Sequence, residues 1–375
     1  MEDTTTKHRQ KLDEVSLFKY LVENSLAGAD ETVVVKSFNH GQSNPTYFLE
    51  LEKSKRRYVL RRAPPGKIVS PTAHRVDREF RIMKALGERK LVPVPHVHVL
   101  CENHAILGSS FYIMEFCDGR VFKAPSLPEI DGKQRKTLWF SAIDTLASLH
   151  DVDVDKVGLA DYGPRTADYF KRQVKTLSKV SAAQFAVDTI KVPKLANLEK
   201  NGQFISENIL VSFDEPRPCI VHGDYKMDNL LVHPKAPQVI AVIDWEMSTL
   251  GTFGADLANL LLPFYVPSSS PLGFAIGAID KDPFLPTIDE LLERYCEKRV
   301  NPSLDPRVLK KRIWLYLAFQ SFKFGVILQG IASRSAKGQA SNAQAEVVGS
   351  LAPEFDSLTS FMLEKYFELN RGSNL

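Results

Sequence analysis

Cysteine is scarce and scattered. Cys101, Cys117, Cys219 and Cys296 are the only four in 375 residues, and no two form a C-x-x-C pair. Such spacing indicates neither a zinc ribbon nor a disulfide framework, and a reducing compartment suits it best. No uninterrupted apolar run reaches the ~18 residues that cross a bilayer. Residues 1–10 are polar, without the apolar stretch of a secretory leader. Neither secretion nor a membrane partner is expected. Ser373-Asn374-Leu375 departs from the peroxisomal Ser-Lys-Leu address at its middle residue. The expected setting is therefore intracellular and cytoplasmic, with the peroxisome or mitochondrion as alternatives. Charge of one sign is also in short supply: 48 Lys and Arg against 45 Asp and Glu leave a formal +3, too little to make nucleic acid a partner.

Several reactive motifs are missing. G-x-x-x-x-G-K-[ST], G-x-S-x-G and H-E-x-x-H do not occur, so P-loop, serine-hydrolase and zinc-protease chemistries lack their core residues. Asp151, Asp153 and Asp155 imitate the start of a calcium loop, but Lys156 replaces the turn glycine and Tyr162 the final bidentate glutamate. What is present is an ordinary folded composition, 44% hydrophobic and 25% charged. At ~150 residues per domain the length suits two domains or one two-lobed unit.

Helical spacing of Leu12, Val15, Leu17, Leu21 and Leu26 predicts a first helix. Strands follow at Thr32 to Phe38, Thr46 to Leu51 and Tyr58 to Arg62, punctuated by Asn39 to Pro45 and by Ala63-Pro64-Pro65-Gly66. A helix over Arg75 to Leu86 and a strand over Phe111 to Phe116 complete a small mixed lobe. Beyond Cys117-Asp118-Gly119 the pattern turns helical, at Arg135 to His150, Ala167 to Val180, Ile288 to Arg299 and Pro306 to Ile331. The expected boundary divides 1–117 from 118–375. Ser333 to Ala345, small and polar, reads as a mobile loop.

The richest signal is Val221-His222-Gly223-Asp224-Tyr225-Lys226-Met227-Asp228-Asn229-Leu230-Leu231, followed by Ala241-Val242-Ile243-Asp244-Trp245-Glu246. Phosphoryl transfer requires a carboxylate beside the attacking hydroxyl and oxygen ligands for magnesium. Asp224, Asn229 and Asp244 supply those groups at the D-x-x-x-x-N spacing of kinase catalytic loops, with a second aspartate on a following strand.

On these motifs the chain resembles the aminoglycoside phosphotransferase and choline kinase family. That resemblance implies an α+β protein-kinase-like fold: a small lobe with an antiparallel sheet and helix, then a large, mainly helical lobe. Carried over by position, it implies Asp224 as catalytic base, Asn229 and Asp244 as magnesium ligands, and ATP with Mg2+ as cofactors. Gly41 and Ser43 would cover the nucleotide phosphates. Arg61 would stand at the strand cation with Glu79 as its helix partner, and the backbone of Glu115, Phe116 and Cys117 would hold adenine. Further stretches resemble the kinase-like module of multidomain acyl-CoA dehydrogenases, among them Gly41 to Tyr47, Ile243 to Glu246, Thr249-Leu250-Gly251, and Ile327 to Ile331 with Arg334. This implies a small-molecule alcohol as substrate, a hydroxyacyl-CoA above all, with an aminoglycoside or choline-like acceptor or a catalytically silent nucleotide-binding scaffold as alternatives. Residues 53–90 carry 13 Lys and Arg against three carboxylates, a solvated face or, through Arg56, Arg57 and Lys67, a holder of coenzyme A phosphates. Two departures stand out. Gly251-Thr252-Phe253 replaces the family's Gly-Asp-Pro, putting a structural or metal-proximal carboxylate in question, and Lys323 stands where relatives tend to carry Arg.

Overall fold

The structure, a computed structural model, describes residues 12–38, 44–64, 75–166, 168–209, 218–267, 270, 272, 282–300, 304–339 and 344–371. The chain divides into two compact units: one is 1–120 with 240–247, the other 121–239 with 248–375. The first cut falls three residues past the expected 117. The return of 240–247, which carry Asp244, to the first unit is a difference that no composition break announces.

In the first unit, helix α1 (Glu14–Glu23) is started by Asp13, whose carboxylate accepts from the Val15 and Ser16 N–H groups. Strands β1 (Val33–Ser37), β2 (Thr46–Leu51) and β3 (Arg57–Arg62) follow, then α2 (Val76–Glu88), β4 (Val97–Cys101), the single turn α3 (His104–Leu107) and β5 (Phe111–Glu115). The sheet is antiparallel throughout, in the order β1-β2-β3-β5-β4. Strict alternation of burial along β2 puts Tyr47, Leu49 and Leu51 into the core with Leu17, Leu21, Leu60, Phe111 and Ile113. Register fixes the chemistry: Arg61 pairs with Tyr112 across β3 and β5. The returning segment is stitched on where the Val242 N–H donates to the Pro93 carbonyl at 2.8 Å.

The second unit is built on helices α4 (Gly132–His150), α5 (Tyr169–Phe185), α6 (Leu198–Asn208), α7 (Gly254–Leu261), α8 (Ile288–Lys298), α9 (Pro306–Ala336), α10 (Ala345–Ser350) and α11 (Ala352–Arg371). Between α6 and α7 lie the short strands β6 (Cys219–Val221), β7 (Leu230–Val232), β8 (Val239–Val242), which leads into the first unit, and β9 (Thr249–Gly251), paired with β6. Helix α9 is the axle, with α5, α7, α10 and α11 packed along it. By length and composition α9 could cross a membrane, yet 78% of its apolar window is buried inside the protein. It serves as a core helix.

One expected loop is shortened at both ends. Helix α9 continues to Ala336, with Ser333 buried, and α10 begins at Ala345. Within α10, a Cβ at Gly349 would come within 2.8 Å of the Ala332 backbone, so α10 and α9 approach closely there.

Candidate active site

In the first unit, one cation is gripped by three carboxylates. Arg61, on β3, lies 3.0 Å from Glu79 Oε2 through Nε, 2.6 Å from Asp244 Oδ1 and 3.4 Å from Glu246 Oε2 through Nη2. Helix α2 supplies Glu79, which is fully buried and also accepts from Asn44 Nδ2 at 2.8 Å and the Tyr112 hydroxyl at 3.1 Å. The expected Arg61–Glu79 pair is thus formed, within a larger cluster that sequence reasoning did not anticipate. Burial opposes the Arg61 charge, but Glu79, Tyr112, Asp244 and Glu246 together raise its pKa above the usual arginine value. Glu79 is the deepest of the three acids. Burial, reinforced by Asp244 and Glu246 and opposed by Arg61, pushes its carboxyl up to about 7. Asp244 itself holds a left-handed φ of 66°, a conformation that aspartate tolerates better than most residues but that still carries strain.

Of the expected nucleobase segment, the Glu115 N–H donates to the His96 carbonyl at 2.8 Å and the Phe116 N–H to the Arg57 carbonyl at 3.3 Å. Those amides are engaged within the unit. The Cys117 N–H takes no such partner among the described residues. Phe116 packs edge-on against Phe48, with the Arg57 guanidinium 4.8 Å from its ring and Asp118 3.4 Å from that guanidinium. Arg57 therefore has local partners, and so has Arg56, which pairs with Glu31. Gly41, Ser43 and Lys67 lie outside the described residues.

In the second unit, β6 delivers His222-Gly223-Asp224. Gly223 turns the chain at φ 85°, where a Cβ would clash with the following carbonyl. Asp224 is half-buried. Asn229 Nδ2 donates to its Oδ2 at 3.0 Å and to its carbonyl at 2.8 Å, so the two expected residues of this motif meet. Lys226 Nζ lies 3.3 Å from Asp224 and 3.5 Å from Asp228. Burial works against its charge, but those two aspartates raise its pKa.

The support under this loop is Asp256, completely buried on α7. One carboxylate oxygen accepts from the His222 N–H at 2.6 Å and the other from the Gly223 N–H at 2.8 Å. His150, ending α4, approaches Asp256 at 3.4 Å through Nε2 and the Tyr295 hydroxyl at 2.7 Å through Nδ1. Arg299 donates to that hydroxyl at 2.8 Å and to Asp151 at 2.8 Å. The donors run in one direction, from Arg299 to Tyr295 to His150 to Asp256, which assigns a neutral His150 with its proton on Nε2. Burial lowers the His150 pKa, in agreement. Burial disfavours the Asp256 charge, yet the bonds from His150 and His222 hold its carboxyl below the usual aspartate value. Asp256 thus gives the loop a buried structural carboxylate four residues past Thr252, close to the segment where Gly-Asp-Pro is missing. Tyr295 and Arg299 carried no local signal.

The donors present suit magnesium. In the first unit carboxylates outnumber cations around Arg61 and Asp244 Oδ2 accepts no hydrogen bond among the described residues; in the second unit Asn229 Oδ1 accepts none. Oxygen ligands and excess negative charge are what a hard divalent ion requires. Residues 34–296 match the family model described as "Phosphotransferase enzyme family". The chain belongs to the phosphotransferase enzyme family. Within this family it is 38% identical over 92% of its length to mouse acyl-CoA dehydrogenase family member 10, of which it spans 30%, and 37% identical over 89% to rat acyl-CoA dehydrogenase family member 11, of which it spans 41%. The expected likeness to a module of multidomain acyl-CoA dehydrogenases is borne out. Among solved structures, a Ralstonia eutropha protein named as an aminoglycoside phosphotransferase candidate superposes with a TM-score of 0.79 at 30% identity, over 95% of this chain and 99% of that one. The Cryptosporidium parvum choline kinase shares the fold at a TM-score of 0.62 and 15% identity, over 96% and 97% of the two chains. The kinase-like α+β fold is that of a small-molecule phosphotransferase.

Proposed function

We propose that the protein transfers the γ-phosphoryl group of ATP to the hydroxyl of a hydroxyacyl-CoA. The observation that carries this reading is the Asp224 loop: a half-buried carboxylate held by Asn229 at 3.0 Å, on a backbone whose two preceding N–H groups are fixed by buried Asp256. A carboxylate so held can orient an alcohol and accept its proton as the oxygen attacks. Bound ATP and Mg2+ supply the electrophilic phosphorus and the countercharge to its oxygens. Arg61, kept in place by Glu79, stands ready for phosphate oxygens. Asn229 and Asp244 would be the metal's protein ligands, and the Cys117 N–H the adenine donor. The acyl-CoA assignment is supported by the relatives named as acyl-CoA dehydrogenases. A phosphorylated hydroxyl would then be a leaving group for a later elimination. The proposed setting remains intracellular.

Calorimetric titration with ATP, with and without magnesium, combined with acceptor-dependent ADP release over hydroxyacyl-CoAs, tests this. Magnesium-dependent binding and acceptor-dependent turnover are expected. Nucleotide binding without turnover on any alcohol would replace the enzyme by a silent nucleotide-binding scaffold.

A further inference from the structure

The Asp224 loop is flanked by two ammonium groups, and among the described residues only Lys226 is ion-paired. Lys226 lies between Asp224 and Asp228. The other is Lys323, a full hundred residues away in the chain, projecting from the middle of α9. Its Nζ donates to the Gly223 carbonyl at 2.9 Å, and its other two N–H donors have no partner among the described residues. Burial lowers the Lys323 pKa, while Asp224 and Asp256 partly restore it. A cation in such a position disfavours an acceptor that carries its own positive charge beside the reacting hydroxyl, as an aminoglycoside or choline does. It favours an acceptor with an oxygen lone pair or negative charge there.

We propose that Lys323 is the specificity-determining residue for the acceptor: its two free N–H donors take the acyl oxygen of a hydroxyacyl thioester or the carboxylate of a free hydroxy acid, so that the neighbouring hydroxyl meets Asp224. The inference rests on the reading of Asp224 as the acceptor's base. It makes the acceptor class a property of α9, remote in sequence from the catalytic motif. A residue that only propped Gly223 would need one donor, which an amide could replace.

The test compares the wild type with Lys323→Gln, which keeps a donor for Gly223 but loses the charge, and with Lys323→Arg, which keeps the charge. Turnover is measured on hydroxybutyryl-CoA, hydroxybutyrate, choline and kanamycin, and butyryl-CoA binding is measured by calorimetry without ATP. Lys323→Gln should raise KM for the hydroxyacyl acceptor and weaken butyryl-CoA binding by about 10- to 100-fold, the loss of a charge-assisted hydrogen bond. KM for ATP should change by less than about twofold, and Lys323→Arg should recover most of the loss. Hydroxybutyryl-CoA and hydroxybutyrate separate the thioester from the carboxylate as the recognised group. Unchanged butyryl-CoA affinity together with an unchanged KM for hydroxybutyrate in Lys323→Gln, or choline or kanamycin preferred by the wild type, overturns the proposal. Should the wild type phosphorylate nothing in the panel, the proposed function fails, and the butyryl-CoA titration still decides the role of Lys323. If Lys323→Gln does not fold, butyryl-CoA binding to Lys323→Arg decides alone: retained within about threefold it supports a charge contact, lost it refutes one.

Discussion

Asp256→Asn changes one oxygen to nitrogen and should uncouple the catalytic loop from its support. Each Asp256 oxygen now serves a backbone donor, the His222 N–H at 2.6 Å and the Gly223 N–H at 2.8 Å. An asparagine offers one acceptor, so in either orientation its NH2 faces a backbone N–H. Losing one charge-assisted bond and leaving a buried donor unmet costs about 2–4 kcal/mol. For a unit of this size that lowers the unfolding temperature by roughly 5–10 °C. Loss of register at Asp224 should reduce kcat by roughly 10- to 100-fold. The pH dependence is specific. The Asp256 carboxyl lies below its usual value of 3.8 in the folded protein, so the stability it contributes is complete above that value and is lost as pH falls through the folded one. Thermal melts followed by circular dichroism should therefore show a wild-type advantage that is constant above about pH 5 and narrows below about pH 4. A variant melting within about 1 °C of the wild type near neutral pH, or an advantage that grows on acidification, would refute this account of the loop.

Two further outcomes follow from groups outside the loop. Glu79 is raised from 4.5 to about 7, so the folded protein holds a proton that the unfolded chain releases, and stability falls as pH rises between those values. Glu79→Gln should remove that fall, gaining on the wild type by an amount of order 2 kcal/mol between pH 5 and 8 in urea titrations; parallel pH profiles for the two proteins would contradict the assignment. Gly349→Ala places a methyl within 2.8 Å of the Ala332 backbone and should cost about 1–3 kcal/mol by separating α10 from α9, with unchanged stability in the same titration as the contrary result.

Local pattern carried much of this fold. The alternation of Tyr47, Leu49 and Leu51 gave β2 its observed limits, and Arg135 to His150 fell inside α4 because both are decided by which face a short segment buries. The D-x-x-x-x-N spacing likewise placed Asn229 on Asp224, since both lie on one short loop. What pattern could not show is pairing over long separations. Residues 240–247 join the first unit through Pro93 and Arg61, and Arg299 reaches Asp151 148 residues away. Neither contact has a period or spacing to read. Helices α6 and α11 went unread because their apolar stripes are diluted by Asn, Ser, Glu and Lys, and α10 went unread because at six residues it is too short to show a helical period.

The most direct test of the central claim is transfer of a radiolabelled γ-phosphate from ATP, with magnesium, to hydroxyacyl-CoAs by the wild type and by Asp224→Asn. The account predicts a labelled phosphoester with the wild type and a rate lower by roughly 10²–10⁴-fold in the variant, with ATP binding retained. Equal rates for the two proteins, or no labelled ester from any alcohol offered, would contradict it.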